Sequence, residues 1–412
     1  MKGKELIMND PVYGFITIKN ELIRDIIHHP WFQRLRRIKQ LGLTEMVYPS
    51  ANHSRFQHAL GAYHLMGTAL NHLRLKGVEI SEQEYEASLL AILLHDVGHG
   101  PFSHALEDTL LTSVSHESLS FLFMENLNRQ FNQALTLAIR IFNNSYHRPF
   151  FHQLVSSQLD IDRLDYLNRD CFFTGVQEGV IGVDRILAML NVHDEKLVIE
   201  EKGIYNIENF LQARRLMYWQ VYLHKTTLSA ERLLVNLIRR ARILITNQED
   251  LPSSDVLAEI LKSPLNLEDF RRQQNLMEAF GALDDYDVWG AIKQWRGNPD
   301  KILSQLAQML LHRNLFVIKL SAEPIQKREL EKIRVGIAQY FDLLLAETTY
   351  FFSHGVVTNE AYTEGQRINI LTKKGELLDV AQASELPNIK ALTKIVRKNY
   401  LCWPKNVSLL SV

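Results

Sequence analysis

The chain has 412 residues, 46% hydrophobic and 23% charged, a composition that excludes a disordered, collagen-like or membrane-channel protein. At roughly 100 to 200 residues per domain, two or three packed units are expected, with a sizeable core. Lys+Arg is 46 against Asp+Glu 47, so no global basic excess marks a nucleic-acid coat, and any anion site is local.

In chain order, the turn formers Asn9, Asp10, Pro11 and Gly14, followed by Phe15–Ile18, predict a turn and a short strand. Apolar residues at three- and four-residue spacing predict helices over Leu22–Ile27, Trp31–Leu41, Gln57–Leu75 and Glu82–Leu94. The same pattern predicts helices over Glu117–Leu127, Gln133–Phe142, Phe151–Ser157, Asp162–Asn168 and Val183–Leu190. Lys196–Glu200 and Ile204–Asn206 around Gly203 predict a hairpin, and Ile207–Lys225 and Ser229–Ile245 two long helices. The polar run Asn247–Asp255 reads as a linker dividing residues 1–247 from 248–412. Beyond it, predicted helices (Asp255–Leu261, Tyr286–Trp295, Pro299–Leu311, Arg328–Phe341) alternate with predicted strands. These strands are Leu315–Leu320, Tyr350–Val357, Arg367–Thr372 and Leu377–Ala381, the last two joined by a turn at Lys373–Glu376. The expected architecture is mainly α, a helical catalytic core followed by a smaller α+β region.

Cysteine is nearly absent: Cys171 and Cys402 cannot staple so long a chain, and there is no C-x-x-C pair. Met1–Asn20 has no continuous apolar stretch, and nothing elsewhere approaches a spanning helix. A cytoplasmic protein that avoids the membrane is expected.

The run His95-Asp96-Val97-Gly98-His99-Gly100-Pro101-Phe102-Ser103-His104 closes the strongly apolar stretch Leu89–Leu94. A carboxylate at the end of such a helix is costly to bury without a pair or a metal, and imidazole with carboxylate suits zinc, iron, manganese and related ions. The plain alternative is a hydrogen-bonded helix end with loop histidines. Against it stand His58, at the start of the next predicted helix upstream, and the acid-rich Asp160–Asp170, whose Leu159, Ile161, Leu164 and Leu167 form an apolar stripe.

The order His58, His95-Asp96, Asp162 resembles the HD-domain metal phosphohydrolases. The wording S-R-F-Q-H-A-L-G, H-D-V-G-H-G-P-F-S-H, H-E-S, D-I-D-R-L-D-Y-L-N-R-D and V-Y-L-H-K is similar to the HD-domain deoxynucleoside triphosphate triphosphohydrolases, from near Asn9 to about Leu237. The vertebrate member also carries a SAM domain, for which this sequence shows no N-terminal counterpart. The resemblance implies an HD-type helical core and one divalent metal (zinc, iron, manganese, nickel or magnesium) on His58, His95, Asp96 and Asp162. It implies phosphate contacts from Arg55, Arg163, Arg214, His104 and Tyr166, and catalytic roles for His99 and His116. Glu107 stands where the vertebrate enzyme has an Asp supporting the catalytic His, one methylene longer. For the sugar, Gln40, Asp170 and Tyr222 match positions that read the 3′-hydroxyl and crowd the 2′ carbon, and Leu41 lies under the base. Family members form oligomers activated by nucleotide, and Gln33 and Arg36 match allosteric positions; a homo-oligomer, dimer or tetramer, is expected. His28 replaces an acidic residue that recognises guanine, so no strict guanine-nucleotide requirement is expected.

The implied reaction hydrolyses a deoxynucleoside triphosphate to deoxynucleoside and inorganic triphosphate. Metal and arginines neutralise the phosphates, and a histidine, His116 by preference, protonates the departing oxygen. Another HD phosphohydrolase, acting on monophosphates or cyclic nucleotides, is the rival; one phosphate cannot engage all three arginines. A nucleic-acid binder or nuclease is suggested only by the basic runs Arg34–Lys39 and Arg239–Arg242, for which a solvated helix face is the ordinary explanation.

Overall fold

The computed structural model describes residues 5–111, 113–359, 367–386, 389 and 396–407. Among these, helices make the body of the molecule and three small sheets sit around it. Strands β1 (Leu6–Asp10) and β2 (Gly14–Ile18) form an antiparallel hairpin pairing Leu6 with Ile18 and Asp10 with Gly14. Strands β3 (Leu190–His193), β4 (Lys196–Glu200), β7 (Asn369–Leu371) and β8 (Leu377–Asp379) form a mixed sheet in that order, with β4 and β7 parallel. In the third sheet β9 (Val396–Pro404) lies between β5 (Phe316–Ser321) and β6 (Ser353–Asn359), antiparallel to both. The mainly α architecture with small sheets in the C-terminal part is as the periodicity predicts.

Three local expectations are corrected. The helix expected over Trp31–Leu41 spans only Pro30–Arg34 and tightens into a 3-10 turn at Leu35–Arg37. Lys39 then bridges to Ser54, leaving Gln40 and Leu41 outside a helix. The hairpin around Gly203 does not form: Lys196–Glu200 pairs backwards with Leu190–His193, and Ile204 starts the helix Ile204–Met217. The true turn is Asp194-Glu195, whose φ values of 49° and 57° supply the left-handed twist that a two-residue hairpin turn needs. The predicted Ile207–Lys225 helix stops at Met217, widens into a π-helical turn at Tyr218–Tyr222 and breaks before the helix Lys225–Thr246. Wide turns of this kind recur at functional sites, and this one carries Tyr222.

The Asn247–Asp255 run is a loop leading into the helix Asp255–Leu261. Buried residues on both sides of residue 247, from Ile16 to Cys402, nevertheless belong to one hydrophobic core. Arg34, fully buried, donates to the carbonyls of Val97 (2.7 Å) and Leu283 (3.0 Å), and Trp295 Nε1 donates to the Pro252 carbonyl (3.0 Å). No helix among the described residues is long and apolar enough to cross a membrane.

Candidate active site

Ser54 and Gln57 form a capping box at the start of the helix Arg55–Leu75, so Arg55 occupies its first turn and His58 follows about one turn on. The helix Glu82–Leu94 buries its run Ala87–Leu94 and delivers His95 and Asp96 at its end. Asp160 caps the helix Ile161–Thr174, accepting from the Arg163 amide at 2.7 Å, and sets Asp162, Asp165 and Arg169 along one side of that helix.

These elements meet at one point. His58 Nε2 lies 3.3 Å from His95 Nε2 and 3.1 Å from Asp162 Oδ1. Asp96 closes the group at 3.6 Å from His58 Nε2 and 3.4 Å from His95 Nε2. The other ring nitrogens are committed, His58 Nδ1 to Asp165 Oδ2 at 2.7 Å and His95 Nδ1 to the Ile92 carbonyl at 2.6 Å. Each imidazole thus turns its Nε2 towards the carboxylate oxygens of Asp96 and Asp162. Ligand atoms of His58, His95 and Asp162 lie within 4.8 Å of one another, a donor set that fits a divalent cation, with Asp96 at its edge and grouped equally with His99 and His116. The local demand for positive charge is visible in His58. Burial opposes its charge, yet Asp162 and Asp165 outweigh burial and lift it to about 10.

Beside this cage Arg55 donates to Asp96 and, at 2.8 Å, to Ser103 Oγ. His99 Nε2 lies 3.3 Å from Asp96 Oδ1, and burial together with Arg55 holds its imidazole well below the usual range, hence neutral. His116 stacks on His99 with ring centroids 3.7 Å apart. Glu107 accepts from the His116 backbone amide at 2.6 Å and lies 2.9 Å from His116 Nδ1, so its longer side chain reaches. Burial works against its ionisation, but His104 and His116 hold its carboxyl well below the ordinary range. His104 stands at the rim, 68% exposed, 3.1 Å from Glu107. Only glycine fits at position 98, because a Cβ there would lie 2.3 Å from the His116 carbonyl oxygen and from the Ser120 amide. Phe102 and Ser103 are both left-handed (φ 55° and 53°), and Asp285 holds this loop by accepting from the amides of Phe102 (2.8 Å) and Lys39 (2.9 Å).

A second group forms around Asp170. Tyr222 Oη donates to Asp170 Oδ2 at 2.8 Å, and His53 Nε2 lies 2.7 Å from Asp170 Oδ1. The Gln40 backbone amide donates to the His53 carbonyl at 3.0 Å, while the side-chain Gln40 Oε1 is buried without a hydrogen-bond partner. Leu41 packs half-buried against the core. Arg163 Nε donates to the Ser157 carbonyl (2.7 Å) and Arg214 Nη1 to Gln158 Oε1 (2.9 Å), so both guanidiniums meet the same short segment. Tyr166 connects the groups, its Oη 3.4 Å from Arg163 Nη1 and its ring 6.1 Å from that of Tyr222.

Gln33 and Arg36 form a separate pair: Arg36 lies over the Phe56 ring at 3.6 Å and donates to Gln33 Oε1 at 2.9 Å. His28 is exposed, its Nδ1 2.8 Å from the Arg24 carbonyl. The basic runs are largely committed: Arg37 pairs with Asp284, Lys39 with Glu45 and Arg240 with Asp300, while Arg242 donates to the Leu110 carbonyl at 2.8 Å. Sequence reasoning gave no role to Asp165, Arg169, His53, Ser103 or Asp285. For Asp165 and Arg169 a signal existed, since they follow Asp162 at helical spacing. For His53 and Asp285 none did.

Residues 55–170 match the HD domain and residues 181–259 the HD associated region. The uncharacterized protein YwfO of Bacillus subtilis is 34% identical over 323 residues, covering 76% of this chain and 72% of the relative. A crystal structure of a phosphohydrolase from Bacteroides thetaiotaomicron superposes with a TM-score of 0.94 at 48% identity, covering 98% of this chain and 100% of the other. The deoxynucleoside triphosphate triphosphohydrolase SAMHD1 homolog of Dictyostelium discoideum is 33% identical over 245 residues, 55% of this chain and 47% of the relative.

Proposed function

The chain belongs to the HD-domain phosphohydrolases, and from that premise we propose that it hydrolyses deoxynucleoside triphosphates to deoxynucleoside and inorganic triphosphate. One observation carries the reading: the stacked His99–His116 pair, backed by Glu107, stands directly beside the Asp96 edge of the metal cage. This puts a proton donor next to a Lewis-acid site. The 33% identity to a relative named for this activity supports the substrate class.

His58, His95, Asp96 and Asp162 would hold one divalent ion (zinc, iron, manganese, nickel or magnesium), which when bound withdraws charge from a phosphoryl oxygen and acidifies water. The chain's own residues do the rest. Arg214 exchanges its neutral partner, Gln158, for phosphate oxygens, because charge-assisted pairs are the stronger, while Arg163, held by the Ser157 carbonyl and by Asp160 at 3.3 Å, turns its remaining donors to phosphate. Arg55, already tied to Asp96, adds charge beside the α-phosphate, and His104 and Tyr166 border the triphosphate. Glu107, kept ionised, steadies the imidazolium of His116, which delivers its proton to the sugar 5′-oxygen; neutral His99 supports it from below. Gln40, Asp170 and Tyr222 receive the 3′-hydroxyl and leave no room for a 2′ substituent, with Leu41 under the base.

In this reading Gln33 and Arg36 border a nucleotide-activator site of a homo-oligomer, without a strict guanine requirement because His28 is a poorer acceptor than a carboxylate. Residues 248–412 form the assembly or regulatory part. Phosphorus NMR of a dGTP digest tests the reaction. Triphosphate at early times is the expected product; early orthophosphate or pyrophosphate overturns it, and turnover only of monophosphates or cyclic nucleotides moves the chain to another HD chemistry. A protein inactive on every dNTP until dGTP or GTP is added overturns the activator reading.

A further inference from the structure

Arg169 and Asp165 are completely buried and Asp10 nearly so, and the three form an unbroken chain of charge. Asp10 Oδ2 accepts from Arg169 Nη1 at 2.7 Å, and Arg169 Nε and Nη2 each donate to the Asp165 carboxylate at 3.0 Å. Asp165 Oδ2 then meets His58 Nδ1 at 2.7 Å. Asp10 is itself fixed, its Oδ1 accepting from the amides of Val12 (2.9 Å) and Tyr13 (3.0 Å) in the β1–β2 turn. The guanidinium also lies 5.5 Å from the centre of the Tyr13 ring.

Burying an ion pair in a helical core is a weak source of stability, since desolvation offsets much of the attraction. The packing has nonetheless been shaped around this one. A Cβ at Gly61 would lie 2.0 Å from Asp165 Oδ1 and 2.1 Å from Arg169 Nη2, so the glycine one turn beyond His58 clears space for the pair. A carboxylate held against Nδ1 fixes the tautomer of an imidazole, aims Nε2 and makes it a better metal ligand.

We propose that Asp10, Arg169 and Asp165 are positioning residues for the metal centre, a relay through which the N-terminal hairpin holds His58 in its metal-binding tautomer and orientation. The inference rests on the metal reading of His58. It extends the centre to the β1–β2 hairpin, which lies outside residues 55–170.

The test is equilibrium binding of Mn2+ or Co2+ alone, in competition with a chelator, to the full chain and to Asp165→Asn and Asp10→Asn, with circular dichroism to confirm folding. Asp165→Asn keeps the shape and an acceptor oxygen but removes the charge. Its metal dissociation constant is expected to rise about 10- to 100-fold, and the visible bands of the cobalt-loaded protein to shift. Asp10→Asn, one link further away, is expected to weaken binding less. Folded Asp165→Asn with wild-type affinity and an unchanged cobalt spectrum overturns the relay. Should Asp165→Asn not fold, Asp10→Asn decides alone, unchanged affinity overturning the proposal. A wild-type chain that binds neither ion sinks the metal reading and the relay with it; one that binds both while the variants match it sinks the relay only.

Discussion

The two halves of the candidate site are built on different terms. Around the metal cage each imidazole is buried and doubly committed, and the supports are equally buried: Asp165 and Arg169 for His58, the Ile92 carbonyl for His95. On the proposed phosphate flank Arg214 rests on a replaceable neutral partner, Gln158, Arg163 is held by the Ser157 carbonyl and by Asp160 at 3.3 Å, and His104 faces solvent. A cage for a resident ion gains from being fixed before the ion arrives, whereas groups that grip a transient polyanion must let go of something to take it.

The contrast predicts graded losses. Asp162→Ala breaks the cage itself and is expected to abolish both metal content, read by elemental analysis, and turnover; full metal content in this protein would exclude Asp162 as a ligand. His116→Ala leaves the cage intact, so metal should stay while kcat falls by about 10²- to 10⁴-fold. Equal loss of metal would mean that the two halves are not separable. Arg214→Ala removes one exchangeable cation, with an expected fall in kcat/KM of roughly 10- to 100-fold at unchanged metal content, since a charge-assisted bond contributes about 1.5 to 3 kcal/mol.

The smallest effect lies away from both halves, at Glu84. Its carboxylate accepts from the Ser81 amide, Tyr146 Oη and Arg148 Nη1, each at 2.8 Å. Burial opposes its charge, but these partners pull it from 4.5 to about 2. Its folded value is depressed, so its contribution is complete above 4.5 and is lost as pH falls towards 2. Glu84→Gln should cost about 1 to 2 kcal/mol near neutrality and flatten the acid limb of the stability profile, measured by urea unfolding at several pH values. A parallel loss at every pH would refute the charge argument.

How far the sequence could be read divides along similar lines. The helices bearing His58, His95 and Asp162 announce themselves through periodicity and caps, and Ser54 and Asp160 stand where those caps are needed. The turn at Asp194-Glu195 carried no glycine to betray it, and Gly203, which did look like a turn, instead begins a helix. Strand β9 was not anticipated because its partners β5 and β6 lie far away in sequence, and the helices Leu267–Arg272 and Gln274–Ala282 because their patterns are short. Within the site, the proposed ligand residues were legible through their order along the chain, His58, His95-Asp96 and Asp162, and the family resemblance it carries. His53 and Asp285 were not, since what matters is a contact across 117 residues to Asp170 and across 183 to Phe102.

That last contact has a consequence in time. The loop carrying His99 and His104 takes its left-handed turn at Phe102 and Ser103 with Asp285 holding the Phe102 amide, and Asp285 is synthesised 183 residues later. At roughly 5 to 20 residues per second the ribosome needs about 10 to 40 s to supply it. During that interval the nascent helices can collapse around their apolar faces, but the loop lacks its anchor. Completion of this loop is therefore coupled to the passage of the C-terminal segment, and a translational pause before residue 285 would leave a collapsed chain on the ribosome with the loop unanchored.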